Sequence, residues 1–493
     1  MNSRLTIGLV VFITALTFYV ATLAPTVEWG DFGGFQTRVS IGELELAPYG
    51  HPLWNLIARP FTWLPFGDSA FRVNLSSAFF ASLTLLVLWF TLPALTQSRT
   101  ASILAILALA ISHTFWTYSV LPKAYTLTLF ILALGLLLLL RWRESPRAWP
   151  IVAVGVLLGL GIMNHLVVAT AVPGYTVFVL WHSRRRLGDM LRFAVGVAGG
   201  LAPYFYLLST TPTKGSDTLT SVMSYVTKFA QLLATPPELL TGIAFTAANV
   251  AYQFLLLTPV ALWGWWRMWR DDRSLAAALM MIFAGDVAFV LVPVAPPIMQ
   301  NWHLFHPAHL ALTYPLAYGL AAIAERLRYS RRSAAAQITT GLAAIVVPAL
   351  LTYFILAPEA ARAFHITDRL GLRDFPGRDT VSFLFIPAKA GDYSARRYAE
   401  TALSALPNRA VLFADWTPYT AVWYLQAVEG WRPDVSLLEL PVKESLAIAT
   451  GHYRALGRPV FIADTSRYYD LASLDGHYRV EREGAVYELI PLP

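Results

Sequence analysis

Long apolar segments alternate with short polar or basic connections through the first 356 residues of the 493-residue chain. A transmembrane helix needs about 20 predominantly apolar residues to cross a hydrocarbon core about 30 Å thick. Eleven windows approach that length, so the pattern predicts a polytopic α-helical membrane protein with about 11 transmembrane helices. The predicted spans are 5–24, 73–95, 101–121, 124–141, 149–163, 165–182, 190–208, 247–266, 274–297, 305–325 and 336–356.

Arginine clusters predict the orientation, because they follow the even-numbered spans, from Arg99 after the second to Arg326–Arg332 after the tenth. Lys and Arg concentrate on the cytoplasmic side of membrane proteins, so the amino terminus is predicted to be cytoplasmic. The opposite connections are then predicted to lie outside the cytoplasm. They are the 25–72 loop, the 121–123 turn, Asn164 and His165, the 209–246 loop, the 298–304 turn and everything after 357.

The composition becomes that of an ordinary soluble domain after Ala357. Helical and strand-like periodicities alternate there, which is typical of an α/β domain. We therefore predict a transmembrane domain over 1–356, whose 25–72 loop carries the candidate site, and an extracytoplasmic α/β domain over 357–493. The predicted elements are helices at 393–405 and 417–428, strands at 410–414, 435–438 and 460–463, and a short amphipathic helix at 52–60 along the membrane interface.

Composition also limits the chemistry. The chain is 56% hydrophobic and 14% charged, has a formal net charge of +7 and contains no cysteine. Disulfides, thiolate metal sites and cysteine nucleophiles are therefore excluded. The clustered glycines lie inside predicted spans, where small residues serve helix packing, and no glycine-rich phosphate loop follows a strand. Nothing in the sequence indicates a nucleic acid partner.

The segment from Glu28 to Gly34 follows the first span and contains the most informative acid, Asp31. A carboxylate within hydrogen-bond reach of a hydroxyl acts as a general base, and two neighbouring glycines let the backbone turn tightly. The alternative is an ordinary solvated acid, since other acids such as Asp68 share this loop. The residues alone leave both interpretations open.

Five of the ten histidines fall on or near the predicted outer surface, and three of them form an H-x-x-H-x-x-H motif at a helix start. A spacing of three places neighbouring imidazoles on one helical face, which suits a metal or a phosphate. Because Pro307 interrupts the motif, we favour a phosphate- or water-lined cleft over a metal site. The five are His51, His165, His303, His306 and His309.

Two charged residues lie where the membrane environment disfavours them. Lys123 occupies the outer turn between the third and fourth spans, where a lysine either snorkels into water or pairs with an anion. Asp286 lies inside the ninth span, and an intramembrane acid usually faces a cavity or a partner. Its position near the middle of the span predicts a structural or gating role rather than a catalytic one.

Several stretches look like a bacterial membrane-protein family related to the transmembrane protein O-mannosyltransferases. The resemblance covers the first third of the chain strongly and the tail moderately. It implies a GT-C glycosyltransferase fold in the bacterial inner membrane, with a periplasmic C-terminal domain. The stretches are TLAPTVEWGDFGGFQT, GHPLWNLIARPFTWLPFGDSAFRVNLSSAFFA, SHTFWTYSVLPKAYTLTLF, GLGIMNHLVVATAVPGY and, in the tail, LPNRAVLFADWTPYTAVWYLQAVEGWRPDVSLLEL.

The resemblance also implies a reaction. A sugar passes from a polyprenyl-phosphate donor to an extracytoplasmic acceptor hydroxyl, with inversion, and Asp31 is the general base. The acceptor is a protein, a glycan or a lipid. Because the lipid phosphate is the leaving group, its developing charge needs cations. The residues implied for donor-phosphate or sugar binding are Lys123, Arg38, Arg59, Arg72, His51, Asn164, His165, His303 and His306.

Two positions depart from the family pattern, in which G-D-x-G-E is expected and a second acid precedes an A/V-Y-x-L motif. Gly34 and Lys123 stand at those places. The exchange of two carboxylates for a cation predicts a lost divalent-metal site, an altered acceptor or a catalytically silent relative. Because Asp31 is retained, we favour an active enzyme without a tightly bound metal or other cofactor.

Two other functions stay open. A silent GT-C-like membrane subunit would bind a lipid or a partner protein through the cleft or the 357–493 domain. A transporter or flippase for a lipid-linked substrate ranks last, because the sequence shows no paired interrupted helices in two related halves.

Overall fold

The computed structural model describes residues 3–46, 50–183, 186–210, 235–291, 299–329, 334–370, 372–441 and 444–493, together with residues 227 and 231. Within these residues, seven helices are long and apolar enough to cross a membrane, or eight if one bent pair forms a single span. Each predicted span overlaps a helix. The chain is therefore a multi-pass helical membrane protein, and the total of eleven spans stays a prediction.

The helices of the membrane part and of its connections account for most of the first 356 residues. The α-helices are Ser3–Ala21, Asp31–Ile41, Pro52–Ala58, Ser69–Thr96, Arg99–Ala110, His113–Ser119, Tyr125–Glu144, Ala148–Asn164, Val168–His182, Arg186–Thr210, Pro236–Phe254, Thr258–Asp271, Arg273–Leu291, His306–Tyr329 and Ala334–Leu351. Short 3₁₀ helices occupy Arg59–Trp63, Leu255–Leu257 and Met299–Phe305, and a π-helical turn occupies Thr352–Leu356.

Glycines inside the spans bring two helices close together, as the sequence predicted. Gly155 and Gly159 of one helix face Gly196 and Gly200 of another. A Cβ atom on any of these four would lie within 2.4 Å of a backbone carbonyl oxygen of the other helix. The glycines therefore serve helix packing, and a larger residue would push the helices apart.

The predicted 101–121 span is wrong as a single helix. It consists of Arg99–Ala110 and His113–Ser119, which are bent by 67°. Ile111 leaves helical geometry with φ −101° and ψ 3°, and Ser112 enters the second helix in an extended conformation. Thr117 and Tyr118, in the second of these helices, line the cavity described below.

The predicted 247–266 span is also interrupted, and it starts earlier than expected. A helix covers Pro236–Phe254, so the predicted 209–246 loop is helical at its end. Leu255 has a positive φ of 47°, which breaks the helix before it resumes at Thr258. Most of the rest of the predicted loop lies outside the described residues, namely 211–226, 228–230 and 232–234.

The first outer loop is structured around a helix that begins at Asp31. Gly30 has φ 61°, a conformation that favours glycine, and it turns the chain into the helix. Gly33 and Gly34 do not form a turn, contrary to the expectation for the two glycines; they allow close packing. A Cβ atom would lie 2.3 Å from the Glu28 carbonyl oxygen at Gly33 and 2.8 Å from the Trp416 ring at Gly34.

The predicted helix at 52–60 is confirmed as Pro52–Ala58, continued by the 3₁₀ turn at Arg59–Trp63. Trp54 is fully buried and contacts the Phe35 ring, so it does not anchor the helix in lipid. Trp63 is 73% exposed and is the aromatic residue of this segment available to the membrane interface.

The tail forms the predicted α/β domain around a five-stranded sheet. The strands are β1 (Val411–Ala414), β2 (Ser436–Glu439), β3 (Val460–Ile462), β4 (Tyr478–Glu483) and β5 (Val486–Pro491). Their order is β2-β1-β3-β5-β4, with β1 parallel to β2 and β3, and β5 antiparallel to β3 and β4. The β4–β5 hairpin was not predicted. The helices of this region are Ala357–Ala363, Ile366–Arg369, Thr380–Phe385, Ser394–Ala405, Trp416–Ala427 and Leu446–Ala455, with a 3₁₀ turn at Leu471–Leu474.

The first outer loop and the tail share one hydrophobic core. Val27, Trp29 and Ala70 are buried among the apolar side chains of the C-terminal domain. The Trp29 indole N–H donates to Ser394 Oγ at 2.8 Å, and the Ala70 N–H donates to the Tyr424 hydroxyl at 2.9 Å. The loop that carries Asp31 is therefore held against the tail by buried contacts.

Candidate active site

A cavity of about 760 Å³ lies between the helix ends and the C-terminal domain. Four segments that the sequence assigned to the same face of the membrane converge on it: the first outer loop, the 121–123 turn, the 298–304 turn and the tail. The His113–Ser119 helix, predicted to lie inside a span, joins them. Its lining includes Asp31, Phe32, Tyr118, Lys123 and His303 on the membrane side, and Arg373, Phe375, Arg378, Phe383, Asp415, Trp416, Arg467 and Tyr468 on the C-terminal side.

Asp31 projects into this cavity from the first residue of its helix. Its side chain is 62% exposed. Oδ1 accepts a hydrogen bond of 3.0 Å from the Trp416 indole N–H, and Oδ2 accepts one of 3.1 Å from the Lys123 ammonium. Each carboxylate oxygen therefore has one donor, and one of the donors comes from the C-terminal domain.

The neighbours of Asp31 favour its charged form. The positive charge of Lys123 lowers the pKa of Asp31, and the Trp416 hydrogen bond lowers it further, while burial opposes both. The side chain is therefore a carboxylate at neutral pH. A hydroxyl in the cavity can approach it, because much of its surface is open.

Lys123 does not snorkel into water. Its side chain is 11% exposed, and its ammonium lies 4.7 Å from the Phe35 ring centroid and 5.6 Å from that of Phe32. The sequence left open whether Lys123 reaches water or pairs with an anion, and the structure pairs it with Asp31. A lysine held between aromatic rings at a cavity wall is a fixed positive charge for a bound anion.

His51, Asn164 and His165 form a layer behind this pair. The His51 Nδ1 atom lies 2.8 Å from the Asn164 carbonyl oxygen, and the His51 ring stacks on His165 at 4.9 Å between centroids. Burial lowers the pKa of His51 to about 4, with a further contribution from Lys123. A neutral His51 therefore supports the site through packing and hydrogen bonding, and none of the three lines the cavity.

The histidine motif is divided between two surroundings. His303 lines the cavity, and His306 stacks on the Tyr125 ring at 5.1 Å. His309 is buried and hydrogen-bonded to Asn249 at 2.7 Å. Among the described residues, no group of three His, Cys, Asp or Glu side chains is arranged to hold a metal.

The three arginines named from the sequence do not line the cavity. Arg38 pairs with Glu45 at 2.5 Å and lies 5.3 Å from the Trp416 ring. Arg59 donates to the Val39 carbonyl oxygen at 3.3 Å, and Arg72 donates to that of Leu64 at 2.6 Å. Arg59 and Arg72 are therefore not proposed as ligands of the donor phosphate. Arg38 supports the Trp416 ring.

Sequence reasoning missed the C-terminal wall of the cavity. Asp415 and Trp416 follow β1, a strand with parallel neighbours on both sides. Ligands of α/β sheets bind at the carboxyl ends of such strands, and this rule provides the signal that points to them. Arg373 joins this wall through ion pairs with Asp415 at 2.7 Å and with Asp464.

Asp286 lies apart from the site, as predicted. It is fully buried, and its Oδ2 atom accepts a 2.9 Å hydrogen bond from the backbone N–H of Ala308, in the first turn of the His306–Tyr329 helix. A carboxylate at a helix amino terminus stabilises that end of the helix. This contact supports a structural role.

Known proteins share both the sequence pattern and the fold. Residues 39–188 match the family model described as the Protein O-mannosyl-transferase TMEM260 N-terminal domain. The Protein O-mannosyl-transferase TMEM260 of Mus musculus is 25% identical over 464 residues. The predicted resemblance is confirmed. That match covers 87% of this chain and 62% of the mouse protein, so the chain spans only part of the relative's length.

Two solved structures resemble the whole chain. ArnT from Cupriavidus metallidurans, in the apo state, has a TM-score of 0.56 at 15% identity over 99% of this chain and 98% of its own. The Archaeoglobus fulgidus oligosaccharyltransferase, in the apo form, has a TM-score of 0.52 at 12% identity over 94% of this chain and 69% of its own. These identities show the fold alone, and the GT-C-like fold predicted from the sequence is confirmed.

Proposed function

We propose that the chain is an inverting membrane glycosyltransferase. It transfers a sugar from a polyprenyl-phosphate donor to an acceptor hydroxyl on the outer side of a bacterial inner membrane. The observation that carries the proposal is the Asp31–Lys123 pair on the wall of a large cavity. The name of the mouse relative supports glycosyl transfer to a hydroxyl oxygen.

Asp31 is the proposed general base. It takes the proton of the acceptor hydroxyl as that oxygen attacks the anomeric carbon of the donor sugar. The bond between the anomeric carbon and the phosphate oxygen breaks, and the lipid phosphate leaves with the electron pair. A single displacement of this kind inverts the anomeric centre.

Lys123 is the proposed partner of the leaving phosphate. Its ammonium donates to Asp31 Oδ2. A donor phosphate attracts the same ammonium, which weakens its bond to Oδ2 and leaves that oxygen free to accept a proton. Because Lys123 is the main cause of the lowered pKa of Asp31, its movement toward phosphate makes Asp31 a stronger base. Donor binding and base activation are thereby coupled.

The test is Asp31→Asn, with Glu28→Gln as the matched control in the same segment. We expect Asp31→Asn to lower transfer from a polyprenyl-phosphate sugar by about 10²- to 10⁴-fold, because the amide cannot accept the proton. We expect the variant to fold, because the amide fills the same space as the carboxylate. Full activity of Asp31→Asn, measured with radiolabelled donor, would contradict the proposal.

One observation favours a second candidate, a silent subunit that binds a lipid or partner protein. Both oxygens of Asp31 accept hydrogen bonds, and its pKa is lowered, which makes it a weak base. Under this alternative Asp31→Asn is harmless, and substitutions on the C-terminal surface release a co-purifying partner.

A further inference from the structure

We propose that Arg378 forms a binding site for a substrate oxyanion, a phosphate or a carboxylate, on the C-terminal wall of the cavity. The site is separate from Lys123 and lies on a different part of the chain. The inference rests on the proposed function only for the statement that the bound anion belongs to a substrate.

The Arg378 guanidinium is held in place by two aromatic rings. Its central carbon lies 3.9 Å from the ring centroid of Phe375 and 3.9 Å from that of Phe383. All three residues line the cavity. Two close rings fix the plane of the guanidinium and leave its N–H groups to bind in that plane.

Among the described residues, no carboxylate lies within ion-pair distance of Arg378, and its buried Nε atom has no hydrogen-bond partner. The other cations whose pairing is established here differ in this respect. Arg373 on the same wall binds two aspartates, and Lys123 binds Asp31. Arg378 therefore brings to the cavity a positive charge that no carboxylate of the described residues pairs with.

The acids nearest to Arg378 in charge interaction are Glu28 and Asp392, and neither forms an ion pair with it among the described residues. Burial raises the pKa of Glu28 well above its ordinary value, which disfavours its charged form. Burial lowers the pKa of Arg378 to about 10. A desolvated guanidinium in this position gains most from an anion that enters the cavity.

The ligand chemistry follows from the guanidinium. A planar fork of N–H donors matches the two oxygens of a phosphate or carboxylate, and such charge-assisted bonds are stronger than neutral ones. Two sources supply that chemistry in the proposed reaction: the phosphate of the lipid donor, or an acidic group on the acceptor. The experiment separates them.

The experiment measures modification of Arg378 by phenylglyoxal in the purified full-length protein, with peptide mass spectrometry as the readout. Arg369 is the internal control, because it is exposed and does not line the cavity. The probes are inorganic phosphate, undecaprenyl phosphate and its uncharged counterpart undecaprenol. We expect phosphate to slow modification of Arg378 by about fivefold or more, consistent with one charge-assisted contact, without affecting Arg369.

The outcomes are distinct. Protection by undecaprenyl phosphate but not by undecaprenol supports the site and identifies the donor phosphate as the anion. Protection by inorganic phosphate but not by undecaprenyl phosphate supports the site and excludes the donor phosphate, which leaves an acidic group of the acceptor as the anion. The proposal is overturned if no anion slows modification, if undecaprenol protects equally, or if Arg369 is protected to the same extent.

A second measurement, the affinity of variants for inorganic phosphate, separates the contribution of the charge of Arg378 from that of its planar shape. Arg378→Lys keeps the charge but loses the planar fork, so its affinity for inorganic phosphate should fall about tenfold by calorimetry; Arg369→Lys should leave it unchanged. An unchanged affinity in Arg378→Lys overturns the proposed fork. In the Asp31→Asn background the protection should persist, so failure of the transferase proposal and failure of this one are distinguishable.

Discussion

Two carboxylates three residues apart in the first outer loop have opposite surroundings. The Asp31 side chain is 62% exposed and lines the cavity, each of its oxygens accepts one hydrogen bond, and its pKa is lowered. Glu28 is 1% exposed, and neither of its oxygens has a hydrogen-bond partner in the part of the chain that the structure describes. Burial, together with Asp392, raises its pKa well above the ordinary value.

The difference arises from the backbone between them. Glu28 precedes the helix, and its N–H donates to the buried Gln36 side chain at 2.9 Å. Gly30, with its positive φ, turns the chain so that Asp31 begins the helix on the cavity side. Two acids that look alike in the sequence are thus a charged group at the cavity and a buried group whose charged form is disfavoured.

Lys123→Met should change the Asp31 surroundings most while leaving the carboxylate in place. The variant removes the proposed counter-charge of the leaving phosphate, so kcat/KM for the lipid donor should fall by about 10²- to 10³-fold. The pKa of Asp31 should rise, because Lys123 is the main cause of its lowering. A base works only when deprotonated, so the acid limb of the pH–rate profile should move to higher pH.

Lys123→Arg is the control for that experiment, because it keeps the positive charge. We expect a smaller loss of kcat/KM and an acid limb close to that of the unmodified protein. An acid limb that stays in place in Lys123→Met would show that the Asp31–Lys123 contact does not control the base.

Trp416→Phe should have a smaller effect of the same kind. It keeps an aromatic ring at this position but removes the N–H that binds Oδ1 of Asp31, together with the outer ring atoms that pack on Gly34. The loss of one hydrogen bond to a carboxylate should lower kcat/KM by about tenfold and move the acid limb slightly to higher pH. Measurement of kcat/KM across pH tests both effects.

Trp423→Phe provides a matched control on the same helix. Trp423 contacts Arg38 at 5.9 Å, and the structure gives it no bond to Asp31. Its pH–rate profile should match that of the unmodified protein. Equal shifts in the two variants would mean that helix packing, rather than the indole N–H, controls Asp31.

The sequence contains enough information to predict most helices, Asp31 and the α/β tail, because these features depend on local apolar runs, alternating periodicity and motif resemblance. It does not reveal the break at Ile111 and Ser112, since both residues also fit a continuous apolar helix. The break matters because the helix that follows it carries Thr117 and Tyr118, which line the cavity.

The C-terminal half of the site depends on contacts between distant residues. Trp416 lies 385 residues from Asp31 along the chain, and it fills the space that Gly34 leaves open. Arg59 and Arg72 show the reverse, since both are near Asp31 in sequence but bind backbone carbonyl oxygens elsewhere. Nearness in sequence therefore identified the segment of the site, while packing determined which side chains reach it.

Glu28→Gln should have the smallest effect, because the amide resembles a protonated carboxyl group. Transfer activity of this variant should therefore not change. The charged groups that act on Glu28 are Lys389, Arg378 and Asp392.

Folded Glu28 keeps a proton that the unfolded chain releases above about pH 4.5, so the stability of the unmodified protein should fall as pH rises from there through the raised pKa. The apparent Tm of Glu28→Gln should lack this decline and should exceed that of the unmodified protein near pH 7. A lower Tm for Glu28→Gln at pH 7 would instead mean that Glu28 is ionised and stabilised by Lys389, and the contrast with Asp31 would disappear.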